Sequence, residues 1–432
     1  MGGNMNSLRI GLAGLGTVGG GLASILQKNG NWVENRLGRP VSIKTVLVRD
    51  PSKKRNLAQD SGIRITTDPS DIVDDPDIDI VVELMGGIDA PKNLIARALN
   101  AGKHVVTANK ALLAEQGEEL FQLASEKGLG LYFEASVAGG VPIVQTIKES
   151  LACNRIPRLL GILNGTANFV LSQMTTQSVE FGEALAEAQR LGYAEADPSL
   201  DIDGGDAAHK LCLLIRLAYG VHFPYEKLHV QGIRAVTRQD IAVAREFGYR
   251  IKLIAQVNEV DGRLEAGVLP ALVHHTYLLA RVGGNYNAVR VEGDCVGSVM
   301  LHGQGAGALP TASAVLADIM ALARANRAPD NTGFADWRLP EASVINHEDA
   351  RAEHYFRFTV DDRPGVMAAI AQAMADNNIS IAQAVQKGEA MERCVPIVFL
   401  THESSISDVD RAVRAIDAME FIQEPTVAFR IL

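Results

Sequence analysis

Hydrophobic residues fall along the first third of the chain in short runs separated by helical repeats. Leu8–Leu12 and Val41–Val48 are apolar runs of strand length, and Thr17–Lys28 between them carries apolar residues at three- and four-residue spacing. The polar stretch Asn29–Pro40 reads as a loop. Ile78–Leu84, His104–Thr107 and Gly130–Glu134 read as further strands, with Pro91–Ala101 and Ala111–Lys127 as helices. Short apolar strands alternating with helices predict an α/β fold, a parallel sheet covered on both faces, over residues 1–140.

After Val141 the rhythm changes to that of an α+β domain, expected over 141–325. Strand-like Leu159–Leu163, Lys252–Val257 and Arg290–Glu292 flank helices that include Ser178–Arg190 and Gly205–Tyr219. A helix at Thr311–Ala325, within a return segment 305–325, is expected to pack back on the first domain. Residues 326–350 are rich in Pro, Asp and Asn and read as a linker. From Arg351 to Leu432 the order is βαββαβ, with strands Tyr355–Val360 and Cys394–Thr401 and the helix Gly365–Asn377 clearest.

At 432 residues and 47% hydrophobic content, a multidomain globular protein is expected. The net charge of −10 argues against nucleic acid or anionic membrane as a partner. No apolar run approaches membrane-spanning length, and MGGNMNSLRIG has no signal-peptide core, so the expected location is cytoplasmic. The four cysteines, Cys153, Cys212, Cys295 and Cys394, have no metal or redox spacing and read as buried apolar thiols. The pair His274-His275 has no ligand partners at suitable spacing and receives no role.

Chemistry gathers at several motifs. Gly14-Leu15-Gly16-Thr17-Val18-Gly19 is a GxGxxG turn between a strand and a helix, the fingerprint of a dinucleotide site. Gly14 permits the turn, Gly16 admits the pyrophosphate and Gly19 allows close packing of helix on strand. The phosphates would meet the free N–H groups of the helix start. At the end of the second strand, where NAD sites carry an acid, Arg49 is followed by Asp50 and the basic run Lys53-Lys54-Arg55. These can pair with a 2′-phosphate, so NADP is favoured, with NAD allowed. Gly192–Lys210 is dense in acids, and Asp206 and Lys210 stand four apart on one helix face. On spacing alone an ordinary surface ion pair with a solvated acidic loop is the preferred reading, because such pairs are common.

With Ala108-Asn109-Lys110, Glu134–Pro142, Asn164-Gly165-Thr166-Ala167-Asn168 and Gly303–Gly307, these motifs in this order resemble the homoserine dehydrogenase family. The resemblance covers residues 8 to about 325. It implies reduction of L-aspartate 4-semialdehyde to L-homoserine in threonine, methionine and isoleucine biosynthesis. It makes Lys210 the proton donor, Asp206 the group orienting substrate and lysine, and Glu195 the partner of the substrate amino group. Lys110 would lie near nicotinamide and substrate, while Thr17, Val18, Gly192 and Gly307 would touch the cofactor. It also implies a structural sodium ion held by Glu134 and the backbone carbonyls of Val137, Gly139 and Val141.

The segment Asp361-Asp362-Arg363-Pro364-Gly365, with Asn377-Asn378-Ile379, resembles an ACT domain. That implies an amino-acid effector, threonine for this family, and a homodimer or homotetramer. A purely structural dimerisation module is the alternative. A different ACT-regulated dehydrogenase and a silent nucleotide sensor remain open on the residues alone. Separation of the motifs predicts that a chain cut near Ala350 keeps its activity.

Overall fold

The computed structural model describes residues 7–53, 62–325, 329–386 and 394–432. They form two compact units. The first combines residues up to 157 with 209–226 and 286–342, and the second holds 158–208, 227–285 and 343–432.

In the first unit six parallel strands make one sheet: β1 (Leu8–Ala13), β2 (Val41–Leu47), β3 (Arg64–Thr66), β4 (Ile80–Glu83), β5 (His104–Thr107) and β6 (Leu131–Tyr132). Their order, β3-β2-β1-β4-β5-β6, is that of a dinucleotide-binding fold, and it reverses direction between β1 and β4. Helix 308–324 returns to this sheet and packs Ala312, Val315, Ile319 and Leu322 against Leu8, Ile10, Leu12 and Val82.

Local details depart from the periodicity. The first helix runs on to Leu37, because Val33 extends its buried face through the polar stretch, and Gly38 (φ 82°) closes it by returning its N–H to Glu34. The expected helix 111–127 is two helices, Lys110–Gln116 and Glu118–Glu126. They meet at Gly117, where a side chain would strike the Leu113 carbonyl. The strand expected at 130–134 ends at Tyr132, and Glu134–Ser136 is a 3-10 turn. Cys153 and Cys295 are exposed and Cys394 is half-buried, so only Cys212 is the buried thiol that the spacing suggested.

The stretch read as a linker is anchored. Asn331 is buried, its Oδ1 accepts the Leu131 N–H and its Nδ2 donates to the Leu129 carbonyl, so it continues the hydrogen bonding of the β6 region.

The second unit is built on antiparallel strands. Tyr249–Val260 and Arg263–His274 form a hairpin whose Asp261-Gly262 turn has both residues left-handed, the geometry that suits strand twist. Strand Arg158–Ile162 lies beside the first of these. Residues 351–431 follow in βαββαβ order, with helices 366–376 and 406–417 covering one sheet face around Phe356, Phe358, Ile397 and Phe399.

This C-terminal module is welded to its unit. Strand Ile422–Ile431 pairs with Arg263–His274 at Ala271–Arg430 and Leu272–Ile431. On the face away from its own helices, Tyr355 Oη and Arg357 Nε both donate to Oδ1 of buried Asp240, at 2.8 and 2.7 Å. Arg430 also pairs with Glu265. A cut near Ala350 would therefore strip a strand and leave Asp240 without these donors, contrary to the separability expected from motif spacing. Among the described residues no helix is long and apolar enough to cross a membrane.

Candidate active site

The glycine turn sits at the carboxyl end of β1, beside the point where strand order reverses. Gly14 has φ 101°, and a Cβ there would lie 2.5 Å from the Leu84 carbonyl oxygen. A Cβ on Gly19 would meet the Gly14 oxygen, whereas one on Gly16 would meet nothing within 4 Å. Two glycines thus serve packing, and the third faces open space that a ligand can enter. The helix from Thr17 has no side-chain cap and no acid in its first turn. Its first N–H groups and positive dipole end suit a pyrophosphate.

Arg49, Asp50 and Lys53 are exposed just beyond β2, and the Asp50 carboxylate accepts the Ser52 N–H and hydroxyl at 2.9 and 2.6 Å. Lys54 and Arg55 lie outside the described residues. Gly307 (φ 125°) is the N-cap of helix 308–324, again without a side-chain cap.

Lys110 opens helix 110–116 just beyond β5, on the same carboxyl edge of the sheet. Asn109 caps that helix by accepting from Leu112 N–H, and its amide donates to the Gly87 carbonyl at 2.8 Å. Buried Glu83 accepts from the Thr107 hydroxyl at 2.6 Å, and burial pushes its carboxyl up from the usual range.

Beyond β6 the chain turns through Ala138 (φ 53°) and Gly139 (φ 60°). A side chain at Gly139 would collide with the Gly305 backbone, so the two glycine segments touch directly. Glu134 is 1% exposed, its carboxylate accepting the N–H groups of Val144 and Gln145 at 2.9 and 2.8 Å. Buried Asp318 accepts the Glu134 N–H. Among the described residues no group of three or more His, Cys, Asp or Glu side chains could hold a metal. In the turn 137–141 every residue but Gly140 is buried, and backbone carbonyl oxygens are a donor type that suits a hard monovalent ion.

The acidic block lies at the opening of helix 205–219. Asp206 and Lys210 are 4% and 8% exposed, one helical turn apart. Their burial removes the reading as an ordinary solvated pair. Glu195 and Gly192 are exposed in the loop that follows helix 181–190. The Tyr193 carbonyl in that loop accepts from the buried Thr166 hydroxyl at 2.6 Å.

Two buried asparagines without an assigned role stand at the start of helix 165–177, and the first of them joins this cluster. Asn164 caps helix 165–177 and donates to both Asp201 and Asp206. Asn168 accepts from buried Lys252 at 3.0 Å, and burial lowers that ammonium to about 8. The signal for both was the Asn-Gly-Thr-Ala-Asn string, whose polar side chains Asn164, Thr166 and Asn168 are all buried at the start of helix 165–177.

The family model described as homoserine dehydrogenase matches residues 142–320. The homoserine dehydrogenase NAD binding domain matches 14–134, and the ACT domain matches 354–421. A homoserine dehydrogenase of Neisseria gonorrhoeae is 40% identical, covering 99% of each chain. One from Bacillus subtilis is 37% identical over 99% of each. The crystal structure of a homoserine dehydrogenase from Thiobacillus denitrificans superposes with a TM-score of 0.93, at 42% identity over 99% of both chains. A hyperthermophilic archaeal homoserine dehydrogenase in complex with NADPH aligns over 75% of this chain and 100% of its own, at 27% identity and TM-score 0.63. The chain therefore belongs to the homoserine dehydrogenase family, NAD(P)-dependent oxidoreductases, and carries an ACT domain at its C-terminal end.

Proposed function

We propose that the chain reduces L-aspartate 4-semialdehyde to L-homoserine, in threonine, methionine and isoleucine biosynthesis, with NADPH preferred over NADH. The observation that carries this reading is the burial of Asp206 and Lys210 on one face of helix 205–219. A bound nicotinamide supplies the hydride that the aldehyde carbon accepts. Lys210 holds the proton that the developing alkoxide takes up. Asp206 orients the lysine and the substrate, Glu195 accepts from the substrate ammonium, and Lys110 lies near the reacting carbonyl.

Gly14, Leu15, Gly16, Thr17, Val18 and Gly19 hold the pyrophosphate, with Gly192 and Gly307 as further cofactor contacts. Arg49 and Lys53 pair with the 2′-phosphate, a preference supported by their exposure beyond β2 and by the NADPH held by the archaeal relative. The carbonyls of Val137, Gly139 and Val141, with Glu134, would hold a structural sodium ion. Threonine is the proposed effector, at the turn before Val366 and the segment Asn377–Ile379. Gly365 (φ 94°) and Asn378 (φ 59°) give that turn and segment their left-handed bends. The working form is a cytoplasmic homodimer or homotetramer.

The test is NADPH and NADH oxidation with aspartate semialdehyde beside a panel of 2-oxo acids, with and without threonine. Turnover confined to the semialdehyde and faster with NADPH supports the reading. Preference for a 2-oxo acid overturns the substrate, and indifference to threonine overturns the effector.

A further inference from the structure

The geometry points to Asn164 as a positioning residue that sets the direction of the Asp206 carboxylate through a single amide shared with Asp201. The inference rests on the reading of Asp206 as the group that orients substrate and lysine.

Asn164 is 5% exposed, with the extended backbone (φ −119°, ψ 118°) of an N-cap. Its Oδ1 accepts the Ala167 N–H at 2.7 Å. Its Nδ2 donates to Asp201 Oδ1 at 2.7 Å and to Asp206 Oδ2 at 2.8 Å. One amide thus uses its oxygen on the helix and both its N–H groups on carboxylates. The alternative flip would turn a carbonyl oxygen toward two carboxylates and an NH2 toward a backbone N–H, so chemistry fixes the orientation.

The two acids come from different local structures. Asp201 lies in the helical turn Ser199–Ile202, and Asp206 lies in the first turn of helix 205–219. Buried Gly204 (φ 92°) makes the bend between them, where a Cβ would come within 2.9 Å of Val230. Outside the pair, Arg234 grips Asp203 at 2.5 and 2.9 Å and Ser199 at 3.2 Å, holding the outer side of the same loop. The inner side has Asn164. Two carboxylates beside one nitrogen repel each other unless donors lie between them, and the amide supplies one donor to each.

Residue type follows from this geometry. Aspartate caps a helix as well as asparagine but would add a third carboxylate. Serine caps it with no amide to donate, and glutamine is one methylene too long for a cap.

The test uses the full-length enzyme with Asn164→Ser and Asn164→Gly, alone and combined with Asp206→Asn. The Asn164→Ser melting temperature should stay within a few degrees of wild type, since its cap persists, and the affinity for NADPH should be unchanged. kcat/KM for aspartate semialdehyde should fall about 10- to 100-fold, the range for losing a hydrogen bond to a charged group. In the Asp206→Asn background the same replacement should cost little, because the carboxylate it directs is gone.

A wild-type rate for Asn164→Ser with a slow Asp206→Asn overturns the Asn164 role and leaves the Asp206 reading standing. A wild-type rate for Asp206→Asn overturns the Asp206 reading itself. Equal losses from Asn164→Ser in both backgrounds, or parallel losses of NADPH affinity, make Asn164 a purely structural cap. If Asn164→Ser does not fold, Asn164→Gly, which also caps a helix and lacks the amide, answers the same questions.

Discussion

Nε2 of His209 lies 2.9 Å from Oε1 of Glu115, joining the helix that begins at Lys110 to the helix that carries Lys210. Arg216 makes a second tie, to Glu118 at 2.6 Å, and lays its guanidinium over the Phe121 ring. Both ties lie within the first unit, and they hold the segments bearing the two site lysines in one register. Glu115 is partly exposed, so its contact with His209 contributes at most about 1 kcal/mol to stability. Misplacing a reacting group is costlier to rate than to stability. Glu115→Gln should therefore leave the melting temperature nearly unchanged and lower kcat about three- to tenfold. Steady-state kinetics beside thermal unfolding checks this, and an unaltered kcat would separate the tie from catalysis.

Lys210→Ala should lower kcat by about two to four orders of magnitude, the range for a general acid, with NADPH affinity retained. Stopped-flow or steady-state turnover with a fluorescence titration of NADPH gives both numbers. Near-normal turnover would remove Lys210 from the proton-donor role.

Arg49→Ala should weaken NADPH binding about 10- to 100-fold and spare NADH, because only the former carries the 2′-phosphate. Equal losses for the two cofactors would make Arg49 a structural residue of the β2 end.

Asp240→Ala removes the acceptor for Tyr355 and Arg357, both buried. Stranding a buried guanidinium costs about 3–5 kcal/mol, so urea unfolding should show a loss of that order. A chain ending at Ala350 should be less soluble than full-length protein, since it exposes the edge of Arg263–His274. Comparable solubility and activity in the shortened chain would show that the junction is dispensable.

Acid sensitivity should come from histidines at and beside the start of the C-terminal module. His354 is buried and His347 is half-buried, stacked on His229; burial first, then nearby cations, lowers both imidazoles to about 4. Unfolded histidine titrates near 6.5. Between roughly pH 6.5 and 4 the unfolded chain binds protons that the folded chain refuses, so stability falls as pH falls through that window. His354 alone steepens the fall by up to about 1.4 kcal/mol per pH unit. His354→Phe should flatten the profile measured by denaturant unfolding from pH 7 to 4.5, and an unchanged slope would refute the assignment.

Much of this protein is readable without coordinates. A GxGxxG turn between an apolar strand and a helix has few physical solutions, and alternating strands and helices commit the chain to a parallel sheet. Left-handed positions such as Gly14 and Gly38 are local requirements, and the residue type announces them. The two-fold alternation of Tyr355–Val360 likewise anticipates a sheet with two different faces.

What the residues alone left undecided were the matters that depend on distant partners. Spacing could not tell whether Asp206 and Lys210 were buried or solvated, since an i,i+4 pair looks the same on either face. Nothing local marks Asn164 as the amide between Asp201 and Asp206, because its cap is a property of its own helix and its two carboxylates arrive from farther along the chain. Motif separation suggested a detachable C-terminal module, yet strand pairing at Ala271–Arg430 and the Asp240–Arg357 bond join segments more than a hundred residues apart. Periodicity reports which face of an element is apolar, and only the folded chain decides what that face meets.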